Sequence, residues 1–155
     1  MNNIIVPDAN VFLEMIYSRS LQMMAKQLIS HAIANEFQLV APSLLLDEIT
    51  EVFCGNLDDL HKVQQHLLYL EQLVDEKVLL IVVPSLAVRI KAIEIARTGN
   101  SKSGYPELSD SLYHALAIVN DAIFVTNDSK HLAKVHKFGH VEKLVDYPTV
   151  YERIA

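Results

Sequence analysis

The feature that most constrains this chain is a regular alternation. Five short apolar runs, at 3–7, 37–41, 78–83, 122–126 and 141–145, read as buried strands. Between them lie stretches whose apolar residues recur at helical spacing. The predicted helices are Asn10 to Tyr17, Ser20 to Asn35, a segment opened by Pro42-Ser43 and running to about Phe53, Leu57 to Val74, a segment opened by Pro84-Ser85 and running to about Arg97, Glu107 to Asn120, and Asp128 to Val135. Thr98 to Pro106, with Gly99, Asn100, Gly104 and Pro106, reads as the one substantial loop. Strands that alternate with helices pair in parallel, because each helix carries the chain back along the sheet. The expected class is therefore α/β, a parallel sheet covered by helices on both faces.

At 155 residues, 51% of them hydrophobic, the chain suits one domain, 1–155, with a sizeable core. No repeat, linker or low-complexity tract interrupts it. The single cysteine, Cys54, excludes an internal disulfide and fits a reducing compartment. The N-terminus shows no secretory signal, and the longest apolar run, Val78 to Val83, is far too short to span a bilayer. A soluble, cytoplasmic protein is expected, with no membrane partner. The net charge of −6 argues against indiscriminate nucleic-acid binding. Basic residues nevertheless collect in two places: Arg89, Lys91, Arg97 and Lys102, then Lys130, Lys134, Lys137 and Lys143. Such stretches are compatible with a local phosphate-binding surface.

Four acids occupy suggestive positions. Asp8 ends the first strand, in Val6-Pro7-Asp8-Ala9-Asn10, and Asp128 follows the fourth, in Val125-Thr126-Asn127-Asp128. Each could simply cap the next helix. Glu48 lies among Leu45, Leu46 and Ile49, where it could mark the edge of an apolar stripe; Asp110, in the first turn of its helix, could favour the helix dipole. Right-handed crossovers, however, bring all four to one edge of the sheet. Four carboxylates gathered there repel one another, and no run of Arg or Lys within these segments neutralises them. A hard divalent cation, Mg²⁺ or Mn²⁺, would do so through oxygen ligands.

These segments, together with Asp47-Glu48-Ile49 and Ser109-Asp110-Ser111-Leu112-Tyr113-His114-Ala115-Leu116-Ala117, resemble the acidic signature of the PIN-domain ribonucleases. The compact length is similar to the VapC-like toxins of toxin–antitoxin pairs. The resemblance implies a three-layer α/β/α PIN-like domain with a central parallel sheet, Mg²⁺- or Mn²⁺-dependent cleavage of RNA, and inhibition by an antitoxin. It assigns the four acidic positions to Asp8, Glu48, Asp110 and Asp128, the small polar position after the first acid to Asn10, and the position two before the last acid to Thr126. Glu107 is an auxiliary acid or a helix cap. His114 is expected to be a satisfied core histidine.

The hypothesis is metal-assisted phosphodiester hydrolysis, with Asp8 and Asp110 binding the principal ion directly and Glu48 and Asp128 binding through water or helping to hold a second. Arg97, Lys102, Lys130, Lys134 and Lys137 are the expected RNA-contacting rim. Two alternatives stay open: a catalytically inactive PIN-like module that binds RNA or protein, and another Mg²⁺-dependent phosphotransfer enzyme, such as a small phosphatase or a receiver domain. Surplus apolar residues on helices Ser20 to Asn35 and Leu57 to Val74 suggest a homodimer, and a groove between them able to take an antitoxin helix.

Overall fold

The alternation is realised as a five-stranded, all-parallel sheet in the order β3-β2-β1-β4-β5. The computed structural model describes residues 3–56 and 59–154. The strands are β1 (Ile4–Pro7), β2 (Gln38–Pro42), β3 (Leu79–Val82), β4 (Ile123–Thr126) and β5 (Val141–Lys143). The helices are α1 (Ala9–Ile16), α2 (Gln22–Ile33), α3 (Leu44–Asn56), α4 (Leu60–Asp75), α5 (Leu86–Ala96), α6 (Leu108–Val119), α7 (Ser129–Val135) and α8 (Tyr147–Ile154). Helices cover both faces, giving the three-layer α/β/α arrangement. Ile5 and Val6 of β1, Leu39 of β2, and Phe124 and Val125 of β4 are fully buried. Continuous apolar strands of this kind are what a sheet sealed on both faces requires.

Three of the strands are entered through the same turn. Asn35, Lys77 and Asp121, just past the ends of α2, α4 and α6, have φ of 63°, 61° and 50°. In each, two amides reach back over the last helical turn. Asn35 and Glu36 donate to the carbonyls of Ala32 and His31, Lys77 and Val78 to Val74 and Leu73, and Asp121 and Ala122 to Ile118 and Ala117. This is the Schellman arrangement, usually closed by glycine. Here polar side chains hold the left-handed position instead, so the chain needs few glycines.

Several predicted boundaries shift. Pro42 ends β2 rather than opening a helix, and α3 begins at Leu44. Parallel pairing with Val82 holds Pro42 in the sheet. Leu57 and Asp58, the predicted start of α4 and one of its N-terminal acids, lie outside the described residues; Asp59 caps the helix by accepting from the His61 amide at 2.9 Å. α8 was not predicted from periodicity, because only Tyr147 and Val150 of its eight residues are buried. It docks through ring contacts: the Tyr147 hydroxyl lies 2.5 Å from His31 Nδ1 on α2, and Tyr151 stacks on the His31 ring at 3.9 Å.

The expected groove between α2 and α4 is not formed. α2 packs on α1, α8 and the turn after β5, whereas α4 packs on β3, at the opposite edge of the sheet. Leu60 and Leu68 of α4 and Met23 and Ile33 of α2 are exposed, but apart from one another. A further apolar row lies on α5, where Leu86, Ile90 and Ile93 are exposed opposite the buried Val88, Ala92 and Ile95.

Candidate active site

The strand order places a reversal of winding between β1 and β4. From β1 the chain moves outward through β2 to β3, then crosses to β4 on the other side of β1 and on to β5. In open α/β sheets, ligands bind beyond the carboxyl ends of the strands at such a reversal. Asp8 leaves β1 there, and Asp128 follows β4.

A cavity of about 450 Å³ lies at this edge. It is lined by Asp8, Asn10, Glu48, Glu51, Glu107, Asp110 and Asp128, with Ala9, Leu13, Val52 and Ser109. All four predicted acids and the auxiliary Asn10 and Glu107 thus share one cavity, and among the described residues no Lys or Arg lines it.

Asp8 and Asp128 had the same alternative role as helix caps, and the structure separates them. The Asp128 carboxylate accepts from the amides of Lys130 and His131 at 3.0 and 3.1 Å, so it does cap α7. Asp8 stands at the cap position of α1 with an extended backbone, but its side chain closes no capping bond. It turns to β4 instead: the Thr126 hydroxyl donates to Asp8 Oδ2 at 2.6 Å, while accepting the Asp128 amide at 3.0 Å. Thr126, fully buried, is therefore the link that sets the two acids in register. The Asp8 amide extends the sheet by donating to the Val125 carbonyl at 2.9 Å.

Electrostatics follow from this crowding. Burial pushes the Asp8 carboxyl above its usual range, offset in part by the Thr126 hydroxyl and the nearby amides of Asn10 and Ala9. Asp110 is pushed up to about 8, first by burial and then by the charges of Asp8 and Asp128. Glu48 is raised mainly by burial, against the hydrogen bond from Tyr113. Carboxylates held neutral by their neighbours are what four acids in one cleft require when no cation offsets them.

Glu48 is fixed by a residue the periodicity did not single out. Tyr113, on α6 and fully buried, donates its hydroxyl to Glu48 Oε1 at 2.5 Å. A buried tyrosine needs a partner for its hydroxyl, and this signal was present three residues after Asp110. Glu14 was missed as well. It is buried on α1 and accepts from the Leu21 amide at 3.1 Å and from Asn127 Nδ2 at 2.9 Å, so it ties the loop before Asp128 to α1. Glu51, one turn beyond Glu48, joins the cavity wall. Glu107 occupies the cap position of α6 but makes no side-chain capping bond, leaving its carboxylate to the cavity.

The donor set fits a divalent cation by its chemistry: hard oxygen donors in excess of any local positive charge. Among the described residues, no three acidic, histidine or cysteine side chains converge closely enough to enclose an ion. The carboxylates line the cavity without meeting at a point.

His114 is a core histidine, as expected. Its Nε2 lies 2.7 Å from the Gly139 carbonyl, which can only accept, so Nε2 carries the proton. Its Nδ1 then accepts from His131 Nε2 at 3.3 Å. Both rings are buried, and among the described residues His131 Nδ1 has no hydrogen-bond partner. Burial and the His114 ring hold His131 down to about 4.

Of the predicted basic rim, Lys130 and Lys134 line two further cavities, one narrower and one wider than the acidic one. Arg97, Lys102 and Lys137 line neither. Arg97 ends α5, Lys102 sits on the 98–106 loop, and Lys137 lies over the Phe138 ring at 5.4 Å.

The family model described as the PIN domain matches residues 5–137. Among solved structures, the chain resembles one in the crystal structure of VapBC2 from Rickettsia felis bound to a DNA fragment from their promoter. That match has a TM-score of 0.66 at 18% identity, over 90% of this chain and 98% of that one. It also resembles PAE2754 from Pyrobaculum aerophilum, with a TM-score of 0.59 at 16% identity, over 99% of this chain and 98% of the other. No curated protein matches the sequence. The family match runs from β1 through α7 and takes in all four acids at the sheet edge: the chain belongs to the PIN domain family.

Proposed function

We propose that this protein is a divalent-metal-dependent endoribonuclease, a single domain over 1–155 and the toxin of a toxin–antitoxin pair. The observation that carries the reading is the cleft itself: Asp8, Glu48, Asp110 and Asp128 line one cavity that, among the described residues, no Lys or Arg lines. PIN domains are typically nucleases, and the resemblance to a VapBC2 chain supports the toxin assignment.

Asp8 and Asp110 would hold Mg²⁺ or Mn²⁺ directly, with Glu48 and Asp128 reaching it through water or sharing a second ion. When bound, the cation supplies an activated water and neutralises charge building on the phosphate oxygens. Thr126 keeps Asp8 and Asp128 in register, Tyr113 orients Glu48, and Glu14 braces the 127–128 loop. Asn10 faces the cavity as a neutral hydrogen-bonding group, and Glu107 adds an outer acid. The receiver-type alternative needs a lysine in the cleft, and none lines it.

Arg97, Lys102, Lys130, Lys134 and Lys137 remain the proposed RNA-contacting residues. The proposed partners are an antitoxin and a second copy of the chain, with the exposed row Leu86, Ile90 and Ile93 as available apolar surface. A cytoplasmic location accords with a fold in which, among the described residues, no helix is long and apolar enough to cross a membrane.

The test is cleavage of RNA with Mg²⁺ or Mn²⁺, its loss in EDTA, and its loss in Asp8→Asn. The amide keeps the shape of the carboxylate but binds the ion poorly, so the rate should fall at least about 100-fold while the fold persists. Full activity in a folded Asp8→Asn sample free of wild-type enzyme would overturn the assignment.

A further inference from the structure

Three cavities follow one another away from β1. The acidic one shares Glu107, Asp110 and Asp128 with a narrow cleft of about 110 Å³, whose other walls are Tyr105, Pro106, Lys130, His131 and Lys134. That cleft shares Lys130 and Lys134 with a third, of about 680 Å³, lined by Thr98, Gly99, Ser103 and Ala133. The lining thus passes from carboxylates, through a tyrosine and two lysines, to residues with hydroxyls and a glycine.

Tyr105 stands at the narrow point. Its side chain is presented rather than packed. The residue is 52% exposed, and among the described residues its ring stacks on no other ring and its hydroxyl has no hydrogen-bond partner. Its backbone, by contrast, is held: Lys134 Nζ donates to the Tyr105 carbonyl at 3.4 Å, and Pro106 behind it is buried. The loop leading to it is closed on itself. Asn100 Oδ1 accepts from the Lys102 amide at 2.9 Å, the Ser103 amide at 2.8 Å and the Ser103 hydroxyl at 3.1 Å. The Gly104 amide donates to the Asn100 carbonyl at 2.8 Å. Gly99, with φ of 124°, makes the closure possible, since a Cβ there would meet the Gly104 carbonyl oxygen at 2.4 Å.

We propose that Tyr105 is a stacking platform for a base of single-stranded RNA, with Lys130 and Lys134 holding the adjoining phosphates as the strand leaves the acidic cleft. The inference rests on the ribonuclease reading and names which form of RNA that site takes. A fixed backbone with a free ring suits stacking, because little order has to be imposed on binding. An unpaired base offers its face to such a ring, whereas a base inside a duplex is already covered by its neighbours. The charge order fits as well: with a net charge of −6, the protein needs local cations to bring a phosphate chain to a carboxylate-lined cleft, and two stand directly beside it.

The test uses the whole protein with a single-stranded oligonucleotide carrying 2-aminopurine, whose fluorescence falls on stacking, and with the same strand in a duplex. Binding is read in EDTA, where cleavage does not enter. Wild-type protein should quench the single strand and not the duplex. Tyr105→Leu should lose the quenching and bind about tenfold more weakly, while Tyr105→Phe, which keeps the ring, should match wild type within about twofold. Mn²⁺ binding to Tyr105→Leu, followed by calorimetry, reports whether the acidic cleft is intact. Unchanged binding and quenching in Tyr105→Leu would overturn the inference, as would equal loss in Leu and Phe or equal affinity for the duplex. Failure of wild-type protein to cleave any RNA with Mg²⁺ or Mn²⁺ would instead count against the ribonuclease reading, which the EDTA arm does not use.

Discussion

The acidic cleft and the His114–His131 pair share a contact with one residue, Phe124 of β4. Tyr113, which holds Glu48, stacks on that ring at 5.7 Å; His114 and His131 approach it at 6.0 and 5.9 Å. Both clusters crowd groups of one kind, and burial disfavours the charge in both. They differ in access. The acids open on a cavity where a cation and water can reach them. The histidine rings are buried, with only His131 backing the narrow neighbouring cleft, and they end on a carbonyl at one end and, among the described residues, on an unpartnered nitrogen at the other. Crowding of like groups therefore marks a function only where something can enter to relieve it; where nothing can, it is a costly way of filling a core.

The largest effect expected on this contrast comes from the buried side. His131→Ala would leave a hole beside Phe124 and remove the donor to His114 Nδ1. A loss of about 2–4 kcal/mol in urea unfolding is expected. A loss below about 1 kcal/mol would mean that the pair is as accessible as the acids.

The second test is pH, with opposite signs for the two clusters. His131 titrates near 4 in the fold, against an ordinary 6.5. Between those values the unfolded chain takes a proton that the native state refuses, so stability rises with pH, by up to about 1.4 kcal/mol per unit. Asp110 titrates near 8 in the fold, against an ordinary 3.8. There the native state keeps a proton that the unfolded chain has lost, and stability falls as pH rises towards 8. In EDTA, the raised Asp8, Glu48 and Asp110 carboxyls oppose the rise from His131 below pH 6.5, and above it wild-type stability should decline, with Asp110 contributing about 1–2 kcal/mol up to pH 8. Asp110→Asn should decline less than wild type above pH 6.5. Mg²⁺ should remove the wild-type decline by replacing the proton. An undiminished decline in Asp110→Asn would assign it to other groups.

The smallest effect is expected from Tyr113→Phe. The Glu48 carboxyl is only half-buried, so water can take over from the lost hydroxyl, and about 1 kcal/mol is expected in the same unfolding experiment. A loss as large as that of His131→Ala would show the floor of the cleft to be as dry as the core.

Much of this contrast was legible in the sequence, and the illegible part has a common cause. The strands were clear because a doubly covered parallel strand is apolar throughout, as in Ile4-Ile5-Val6 and Ile123-Phe124-Val125. The four acids were clear because each follows a strand or opens a helix that topology carries to one edge. Tyr113, Glu14 and Thr126's link between two acids were not, since their partners lie 65, 113 and 118 residues away. Helical and strand periodicity reports which face a residue takes, and never what stands opposite it. The same limit hid the contacts of α8 with His31, and it allowed α2 and α4 to be read as neighbours when they occupy opposite edges of the sheet.

The pairing of β1 with β4 has a consequence for how the protein is made. β1 lies between a strand synthesised soon after it, β2, and one that appears only at residues 123–126. A nascent chain that stops short of α6 contains Asp8 and Glu48 but lacks Asp110, Asp128 and the Thr126 hydroxyl that grips Asp8. A fragment shorter than about seven-tenths of the chain is thus missing two of the four acids, and one shorter than about four-fifths also lacks β4, the second neighbour of the central strand. For a protein proposed to cut RNA, the message being translated is exposed to a complete set of acids only once it has been read past Asp128.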